Sequence, residues 1–495
     1  MLDADSAAAE PEPGLPPVTE RGGSRGALRL LTASGSGRVG LLLFALMVGL
    51  SLWVTFTYPR DFGVSRWSNP AVWADNPRNA PPNWTRFFDD VVPHSVRILT
   101  TPAETETIAA GEVRTFRVPI ESSAAGSPGS LSMTLNGVAF RERPPALLAA
   151  LVRPDGGRIR LSSVPIAAPR PGESPPFRRF YESPERVLLS SGPTAAQSLS
   201  GFFADRYPGV VISLPQGDLS PALFGRPADD GSGRIVAIDG DFELEIQAVV
   251  ADPADEIAPI RVTAAGTAYG LMGTDGLGRD LWEGLLYGFP VALLVATLTA
   301  GASTLIGASL GIVSGYRGGA IDAVIQRFSD IVSNVPTLPL LIFLVTLLGR
   351  HLWLIMLVLV AFSWPGLTIL VRSMVLQLRS GQLVESARAL GASRRRIMTH
   401  HVFPQVAPFI IAQMIFFAPG AILAEASLSF LGLGDPSIPT WGQMLEAGFR
   451  TGALYVGYWW WVLPPGILIV LTAIAFMLLA LALEPIVDPR LRRPS

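Results

Sequence analysis

Long apolar runs constrain this chain more than any other feature of its sequence. An α-helix rises about 1.5 Å per residue, so about 20 apolar residues cross the roughly 30 Å hydrocarbon core of a bilayer. The chain is 49% hydrophobic and 16% charged, against about 25% charge in a typical soluble domain. These values predict an α-helical polytopic membrane protein. Six runs are long enough to form transmembrane helices: 39–57, 289–313, 330–348, 352–371, 409–431 and 462–483.

The first apolar run follows a polar N-terminal segment. Residues 1–38 are rich in Ala, Pro, Gly and Ser and carry no apolar periodicity, which predicts a disordered cytoplasmic tail. A cleaved signal peptide is the competing interpretation of 39–57. However, the run starts late, and no small-residue cleavage site stands between it and Tyr58-Pro59. We therefore predict an uncleaved transmembrane helix.

The distribution of arginine predicts the orientation, because short cytoplasmic segments are enriched in basic residues. The connectors after the third and fifth runs hold only Arg350 and Arg450. The opposite segments, including a C-terminal tail 489–495, hold Arg317, Arg327, Arg372, Arg379, Arg388, Arg394, Arg395, Arg396, Arg490, Arg492 and Arg493. We expect a multi-pass protein of the plasma (inner) membrane with both termini in the cytoplasm.

Residues 58–270 interrupt the membrane pattern and show strand signals. Phe242, Leu244 and Ile246 alternate with polar residues, which is the period of a half-buried strand. Gly-containing turns at 154–157 and 239–240 predict two hairpins. We predict an inserted extracytoplasmic β-rich domain, with a sandwich as its architecture.

The insertion shows no pattern of catalytic or metal-binding residues. It contains one histidine, His94, and the whole chain lacks cysteine. Its Asp and Glu residues are scattered, without the spacing of metal ligands or paired catalytic carboxylates. We therefore predict no metal site, and we interpret His94 as structural.

Small residues recur every four positions in the second apolar run. On a helix, Ser303, Gly307, Gly311 and Gly315 form one smooth stripe that another backbone can approach closely. Intramolecular packing and a dimer interface both fit this stripe, and we favour the first. Glu425 lies inside the fifth run, where an ionisable group indicates either a functional site or hydrogen bonding between helices.

The segment 384–404 is longer and more basic than a simple connector between two membrane helices. Gln382 begins a short predicted helix that Gly391 ends, and Ser393 caps a second helix that runs to about Val402. The apolar face predicted for this helix–turn–helix comprises Ala387, Leu390, Ile397 and Met398. From the residues alone, three interpretations stay open: a topology anchor, a lipid-binding surface or a docking site for another protein.

This segment resembles the Glu-Ala-Ala loop of permeases from binding-protein-dependent ABC importers. The family pattern is Glu-Ala-Ala, three residues, Gly, nine residues, Ile, one residue, Leu-Pro. Four positions match at that spacing: Glu385, Ala387, Gly391 and Pro404. Three positions depart from it: Ser386 replaces the second residue, His401 stands at the Ile position and Phe403 at the Leu position.

Two further stretches resemble the second permease subunit of dipeptide, oligopeptide and nickel importers. One is 425–445, and the other, before the second run, contains the motif residues Gly273, Thr274, Asp275, Gly278, Arg279 and Asp280. The resemblance covers about 270–488 and the first run, and it leaves 58–270 uncovered. It implies an ABC importer transmembrane domain at 271–488 with the type I permease fold.

The resemblance also implies a set of partners. A homologous second permease, two cytoplasmic ATPase subunits and an extracytoplasmic solute-binding protein would complete the importer. In the coupling loop 384–404, Glu385 would contact the ATPase, Ala387 would allow close approach and Gly391 would set the bend. Arg394, Arg395 and Arg396 would hold the loop at the interface. The chain lacks a Gly-rich Lys-Ser/Thr phosphate loop, so we expect a transport subunit that binds no cofactor, with ATP and Mg²⁺ on partner subunits.

A second class of function competes with the importer permease. In that alternative, the chain is a membrane-anchored receptor or surface-binding protein that acts through the 58–270 domain. A coupling loop at the family spacing favours the permease, in which the insertion would dock the solute-binding protein. Peptide is the first expectation for the cargo, with a nickel chelate, a glutathione-like compound and a sugar as alternatives. No substrate-contacting residue is identified by the sequence.

Overall fold

The structure is a computed structural model that describes residues 32, 34–88, 94–109, 111–122, 127–214, 218–228, 230 and 232–487. Almost all of the predicted tail 1–38 and the whole of the predicted tail 489–495 lie outside these residues, including Arg490, Arg492 and Arg493. The described chain combines a set of long apolar helices with a β-rich part.

The helices account for the membrane part and for several short connecting segments. They are α1 Gly35–Thr57, α2 Pro70–Trp73, α3 Pro193–Arg206, α4 Ser220–Leu223, α5 Leu281–Arg317, α6 Gly319–Ser333, α7 Thr337–Leu348, α8 Leu352–Ser363, α9 Pro365–Arg379, α10 Gln382–Ala389, α11 Arg394–Arg396, α12 Phe403–Leu428, α13 Trp441–Arg450, α14 Ala453–Val456 and α15 Trp459–Val487.

Five helical stretches of the described residues are long and apolar enough to cross a membrane. They are α1, α5, the pair α8–α9, the stretch Arg394–Leu433 and α15 as far as Leu483. The pair α6 and α7 would add a sixth span if it crosses as one unit, although it is bent by 74°. Six spans are therefore an upper count for the described chain.

The helix predicted at 330–348 is not continuous in the structure. The structure divides this region between α6 and α7, with a break at residues 334–336. Pro336 explains the break, because proline lacks a backbone N–H and disfavours the helical conformation of the residue before it. Pro365 likewise separates α8 from α9.

Within the described residues, the β-rich part contains 14 strands. They are β1 Ser95–Leu99, β2 Glu104–Ile108, β3 Gly111–Ser122, β4 Ser130–Leu135, β5 Val138–Phe140, β6 Ala146–Val152, β7 Arg158–Val164, β8 Phe177–Arg179, β9 Glu185–Leu188, β10 Gly225–Pro227, β11 Ile235–Ala237, β12 Gly240–Val250, β13 Glu256–Ile257 and β14 Ile260–Ala265.

Two main sheets of this part enclose one apolar core. The five-stranded sheet has the order β2-β3-β12-β6-β7 and the four-stranded sheet has the order β1-β14-β4-β9. Phe116, Leu151 and Phe242 from the first sheet share a cluster with Met133 and Val262 from the second. Their arrangement is a β-sandwich.

One of the two predicted hairpins is confirmed and the other is wrong. Strands β6 and β7 pair antiparallel around the 154–157 turn. Strand β11, however, pairs with β10, and β12 lies between β3 and β6. β12 is long and alternately buried, so burial between two long partners competes with the local turn at 239–240.

The β-rich part is narrower than the predicted 58–270. Its strands lie between Ser95 and Ala265, whereas the segment before them forms short helical turns. Trp67 and Trp73 of this segment are buried in the same cluster as Leu281 and Leu285 of α5. The two rings therefore pack with the membrane helices and not with the β-rich part. Burying large aromatic side chains against α5 removes much apolar surface from water.

Candidate functional site

The loop between α9 and α12 has the helix–turn–helix form that its sequence predicts. Helix α10 ends at a left-handed Gly391, whose φ is +78°. The N–H of Ala392 donates to the carbonyl of Ala387 at 3.0 Å, which satisfies a carbonyl at the end of the helix. Ser393 then caps α11, and its Oγ accepts from the N–H of Arg396 at 3.3 Å. A short π-helical stretch, Ile397–Val402, continues to α12.

The loop is anchored to the membrane helices by its apolar residues. Val384, Ile397 and Val402 are all at most 1% exposed. They share one cluster with Ile312 of α5 and Val371 of α9. The loop is therefore packed directly against the helices that would carry a conformational change.

The predicted apolar face of the loop needs one correction. Leu390 is 88% exposed, because it stands at the end of α10, where Gly391 turns the chain away from the helical face. Ala387 is buried against the chain's own helices, so its small side chain serves internal packing. Ala387 is therefore not part of the loop's free surface.

The free surface of the loop is polar and basic with one exposed leucine. Glu385 and Ser386 of α10 are exposed, as are the three arginines of α11. His401 is half-buried and Pro404 is exposed at the start of α12. The exposed members of the loop are Glu385, Ser386, Arg388, Ala389, Leu390, Gly391, Ser393, Arg394, Arg395, Arg396, Thr399, His400, Phe403 and Pro404. We refer to these residues as the loop surface.

The motif before α5 forms a compact clamp on the chain that follows α1. The hydroxyl of Thr274 donates to the carbonyl of Pro77 at 2.8 Å and accepts from the N–H of Ala80 at 2.9 Å. Gly273 has φ +75°, and a Cβ there would lie 2.4 Å from the carbonyl oxygen of Ala80. Glycine is therefore required by both its conformation and the close approach.

The carboxylates of the motif order the turn and the start of α5. Asp275 Oδ1 accepts from the N–H groups of Leu277 and Arg279, both at 2.9 Å. Asp275 also pairs with Nε of Arg279 at 2.5 Å, and Arg279 lies over the Trp67 ring at 4.3 Å. Gly278 adopts φ +81° in the same turn.

Asp280 caps α5 by accepting from the N–H of Trp282 at 2.9 Å. Burial raises the pKa of Asp280 to about 6, because a carboxylate loses hydration when it is removed from water.

The clamp consists of residues 76–83 and 269–278. It joins the segment that leads into the β-rich part to the segment that leads out of it. Tyr269 N–H donates to Pro81 at 2.8 Å, and Asn83 N–H donates to Gly270 at 2.9 Å. The segment 76–83 carries no periodicity or motif that would have identified it from the sequence. Its partnership with 269–278 is visible only in three dimensions.

The small-residue stripe of α5 faces α9. A Cβ on Gly307, Gly311 or Gly315 would lie 2.8 Å from a carbonyl oxygen of α9 or of Trp364, the residue just before it. The hydroxyl of Thr368 in α9 donates to the carbonyl of Gly307 at 3.1 Å. Ser303 is 1% exposed. It lies one turn before Gly307, near the break between α8 and α9 at Pro365.

Glu425 of α12 is 6% exposed and accepts from the hydroxyl of Ser429 at 2.6 Å. Its bond lies within one turn of the same helix, at a site close to the end of the span. Among the described residues, no group of three or more His, Cys, Asp or Glu side chains is placed to hold a metal ion.

Taken together, the apolar helices, the anchored loop and the clamp define a multi-pass helical membrane protein with a surface loop packed on its spans. Residues 307–493 match the family described as "Binding-protein-dependent transport system inner membrane component". The dipeptide transport system permease protein DppC of Bacillus subtilis (strain 168) is 37% identical over 222 residues, which cover 45% of this chain and 69% of that protein.

The oligopeptide transport system permease protein OppC of Haemophilus influenzae is 36% identical over 223 residues, which cover 45% of this chain and 71% of that protein. A solved structure of the MetNI methionine ABC transporter has 20% identity and a TM-score of 0.35, covering 43% of this chain and 98% of that one. The assignment does not rest on this weak structural likeness.

The chain belongs to the family of binding-protein-dependent transport system inner membrane components. It is a permease subunit of an ABC importer, which confirms the resemblance identified in its sequence. Membership of this family also identifies a transport subunit rather than an enzyme. It gives no support to the alternative of a membrane-anchored receptor.

Proposed function

We propose that this permease imports peptides as half of a translocation pathway, and that a homologous second permease forms the other half. Relatives named as dipeptide and oligopeptide permeases support peptide as the cargo class. An extracytoplasmic solute-binding protein delivers the peptide. Two cytoplasmic ATPase subunits bind ATP and Mg²⁺, and this chain binds no cofactor of its own.

The orientation follows the arginine distribution. Both termini and the 384–404 loop lie in the cytoplasm, and α6 with α7 crosses as one bent span, giving six in all. The β-rich part, between the first and second spans, is then extracytoplasmic, where it guides or docks the solute-binding protein. The short outer connectors then hold only Arg350 and Arg450, and the cytoplasmic segments hold many more arginines, as the positive-inside bias predicts.

The loop surface is the observation that carries this proposal. The buried residues of the loop join it to α5, α9 and α12, while the loop surface remains available to a partner. Glu385 makes a charge-assisted contact to the ATPase, and the three arginines of α11 pair with ATPase carboxylates. Leu390 supplies a large exposed apolar side chain, which a bound partner would remove from water. Gly391 sets the bend that presents them.

The test is co-purification of the tagged full-length chain from its native membrane in mild detergent. Leu390→Asp changes only an exposed side chain, so we expect the variant to fold but to lose at least tenfold of the bound ATPase subunits. Val211→Asp is the matched control, because Val211 is 90% exposed in the β-rich part. Equal ATPase recovery with Leu390→Asp and Val211→Asp would contradict the proposed docking surface.

A further inference from the structure

A cavity of about 300 Å³ lies among α5, α8 and α12 and opens to the surface at Ser363 and Gly420, which are exposed. The hydroxyl-bearing residues Thr299 and Ser303 of α5 form one wall, and Ser363 at the end of α8 lies opposite. Gly420 and Ala421 of α12 line the remaining wall, and their small size leaves the space unfilled. Its volume is at the lower end of the roughly 300–1,000 Å³ that ligand pockets occupy.

The cavity arises from the change in packing along the stripe of α5. Below it, Gly307 and Gly311 allow α9 to approach until a Cβ would meet backbone oxygen at 2.8 Å. One turn earlier on α5, beside the break that separates α8 from α9 at Pro365, the stripe reaches the cavity. Thr299 and Ser303 continue the stripe into this gap, where hydroxyls replace the glycines.

Two of these hydroxyls are buried and lack partners. Thr299 is 3% exposed and Ser303 is 1% exposed. Within the part of the chain that the structure describes, neither hydroxyl oxygen has a hydrogen-bond partner. Thr297 on the same helix instead donates to the carbonyl of Leu293 at 2.6 Å, as hydroxyls in membrane helices commonly do.

An unpartnered hydroxyl in an apolar interior is unfavourable, because it has lost its hydrogen bonds to water without replacing them. Water or a ligand in the cavity would remove that cost, and either requires a polar path to it. All nine lining residues are uncharged, so the cavity does not suit an ionised side chain or a charged metal chelate. It suits amide groups, which both donate and accept hydrogen bonds.

We infer that this cavity is a subsite of the translocation path that holds an uncharged stretch of peptide backbone through the hydroxyls of Thr299 and Ser303. This inference rests on the proposed function, since it assigns a contact point to the peptide that the permease imports. The hydroxyls exchange hydrogen bonds with the backbone amides of the passing peptide. The small residues of α12 tolerate different side chains.

The absence of cysteine from the chain makes a single-cysteine test direct. The complete importer, with Ser303→Cys in this chain, is reconstituted and treated with a small charged methanethiosulfonate reagent during ATP hydrolysis. Thr297→Cys is the matched control on the exposed side of α5. A thiol in hydrocarbon stays protonated and unreactive, so we expect modification at least tenfold faster at position 303. Equal rates at the two positions would overturn the inference.

Trialanine then tests the ligand class. Saturating trialanine with the solute-binding protein should slow modification of Ser303→Cys at least fivefold. The combined variant Thr299→Val with Ser303→Ala removes both hydroxyls without leaving a partner unpaired, and we expect at least a fivefold loss of trialanine taken up per ATP hydrolysed. Thr297→Val should match the wild type.

Uptake by the wild-type importer separates the two ideas. If the wild type takes up trialanine but the hydroxyl variant does so equally well, the subsite is overturned and the proposed function stands. If the wild type takes up no peptide, the proposed cargo falls, and the peptide ligand of the subsite falls with it. Rapid modification at position 303 would then still show that the cavity lies on a water-filled path.

Discussion

Asp322 in α6 and Arg372 in α9 form a two-point ion pair, in which both N–O distances are 2.6 Å. The hydroxyl of Ser314 in α5 also donates to Asp322, and Gln326 donates to Ser314 at 3.2 Å. The pair therefore links the end of α5 to α6 and α9. It holds α6, the first helix of the bent α6–α7 pair, against α5 and α9.

Breaking this pair should loosen α6. We expect Asp322→Ala to lower the free energy of unfolding by about 1–3 kcal/mol, since it leaves a charged, partly buried Arg372 without its partner. Thermal unfolding in detergent measures the change. The double variant Asp322→Arg with Arg372→Asp should recover at least half of the lost stability, and a double variant no better than the single one would refute the pairing.

The close contact between α5 and α9 gives a second prediction. In Gly311→Ala the new Cβ would lie 2.8 Å from both the Thr368 carbonyl oxygen and the Val371 Cβ, so the helices must separate. We expect a loss of about 1–3 kcal/mol, as overpacking typically costs. Gly301→Ala lies on the same helix with no heavy atom within 4 Å, and it should be neutral or stabilise by up to about 1 kcal/mol. Melting temperatures in one detergent compare the two.

Asp280 gives a prediction about pH. Its pKa rises from 3.8 to about 6 in the folded protein because the carboxyl is buried, so the folded state binds more protons than the unfolded state between these values. Stability from this group is therefore greatest at low pH and falls as pH rises from about 4 to about 6.

Asp280→Asn should keep the helix cap, because Asn and Asp are similarly effective at that position. The variant should therefore gain stability over the wild type, by an amount on the order of 1–3 kcal/mol above pH 7 and close to zero near pH 4. Melting temperatures from pH 4 to pH 8 measure the difference. A difference that stays constant with pH would show that burial of this carboxylate carries no such cost.

The clamp predicts that the β-rich part can be removed. Residues 76–83 and 269–278 pair with each other through backbone bonds, so replacing 89–266 by a short Gly-Ser linker leaves the clamp intact. We expect the shortened chain to purify as a monodisperse species with the ATPase subunits bound. Introducing Thr274→Val into it breaks two buried hydrogen bonds and should cause aggregation on size-exclusion chromatography. A shortened chain that aggregates without Thr274→Val would contradict the prediction.

Features set by neighbouring residues were predictable from the sequence. The ends of α10 and α11 depend on Gly391 and Ser393, whose conformational and capping preferences act within one turn. The alternation of β12 predicted a half-buried strand for the same reason. The break at Pro365 also follows from one residue.

Features that depend on distant partners were not predictable. Strand β12 pairs with β3 and β6, which lie far from it in the sequence, so β11 pairs with β10 instead. The exposure of Leu390 depends on which way the turn at Gly391 directs the chain, and periodicity extrapolated through the turn placed it on the wrong face. The clamp and the cavity at Ser303 likewise need two or three segments brought together.

The burial of Val384 and Ile397 beside Ile312 and Val371 has a consequence for measurement. Closely packed interiors transmit displacement instead of absorbing it, so the loop cannot shift far without carrying the ends of α5 and α9 as one rigid body. In the permease without its partners, position 390 is almost fully exposed, and a spectroscopic probe attached there through Leu390→Cys would meet no competing thiol in this chain. Such a reporter on the loop would follow the tilt of the membrane helices themselves, without any label placed in the bilayer.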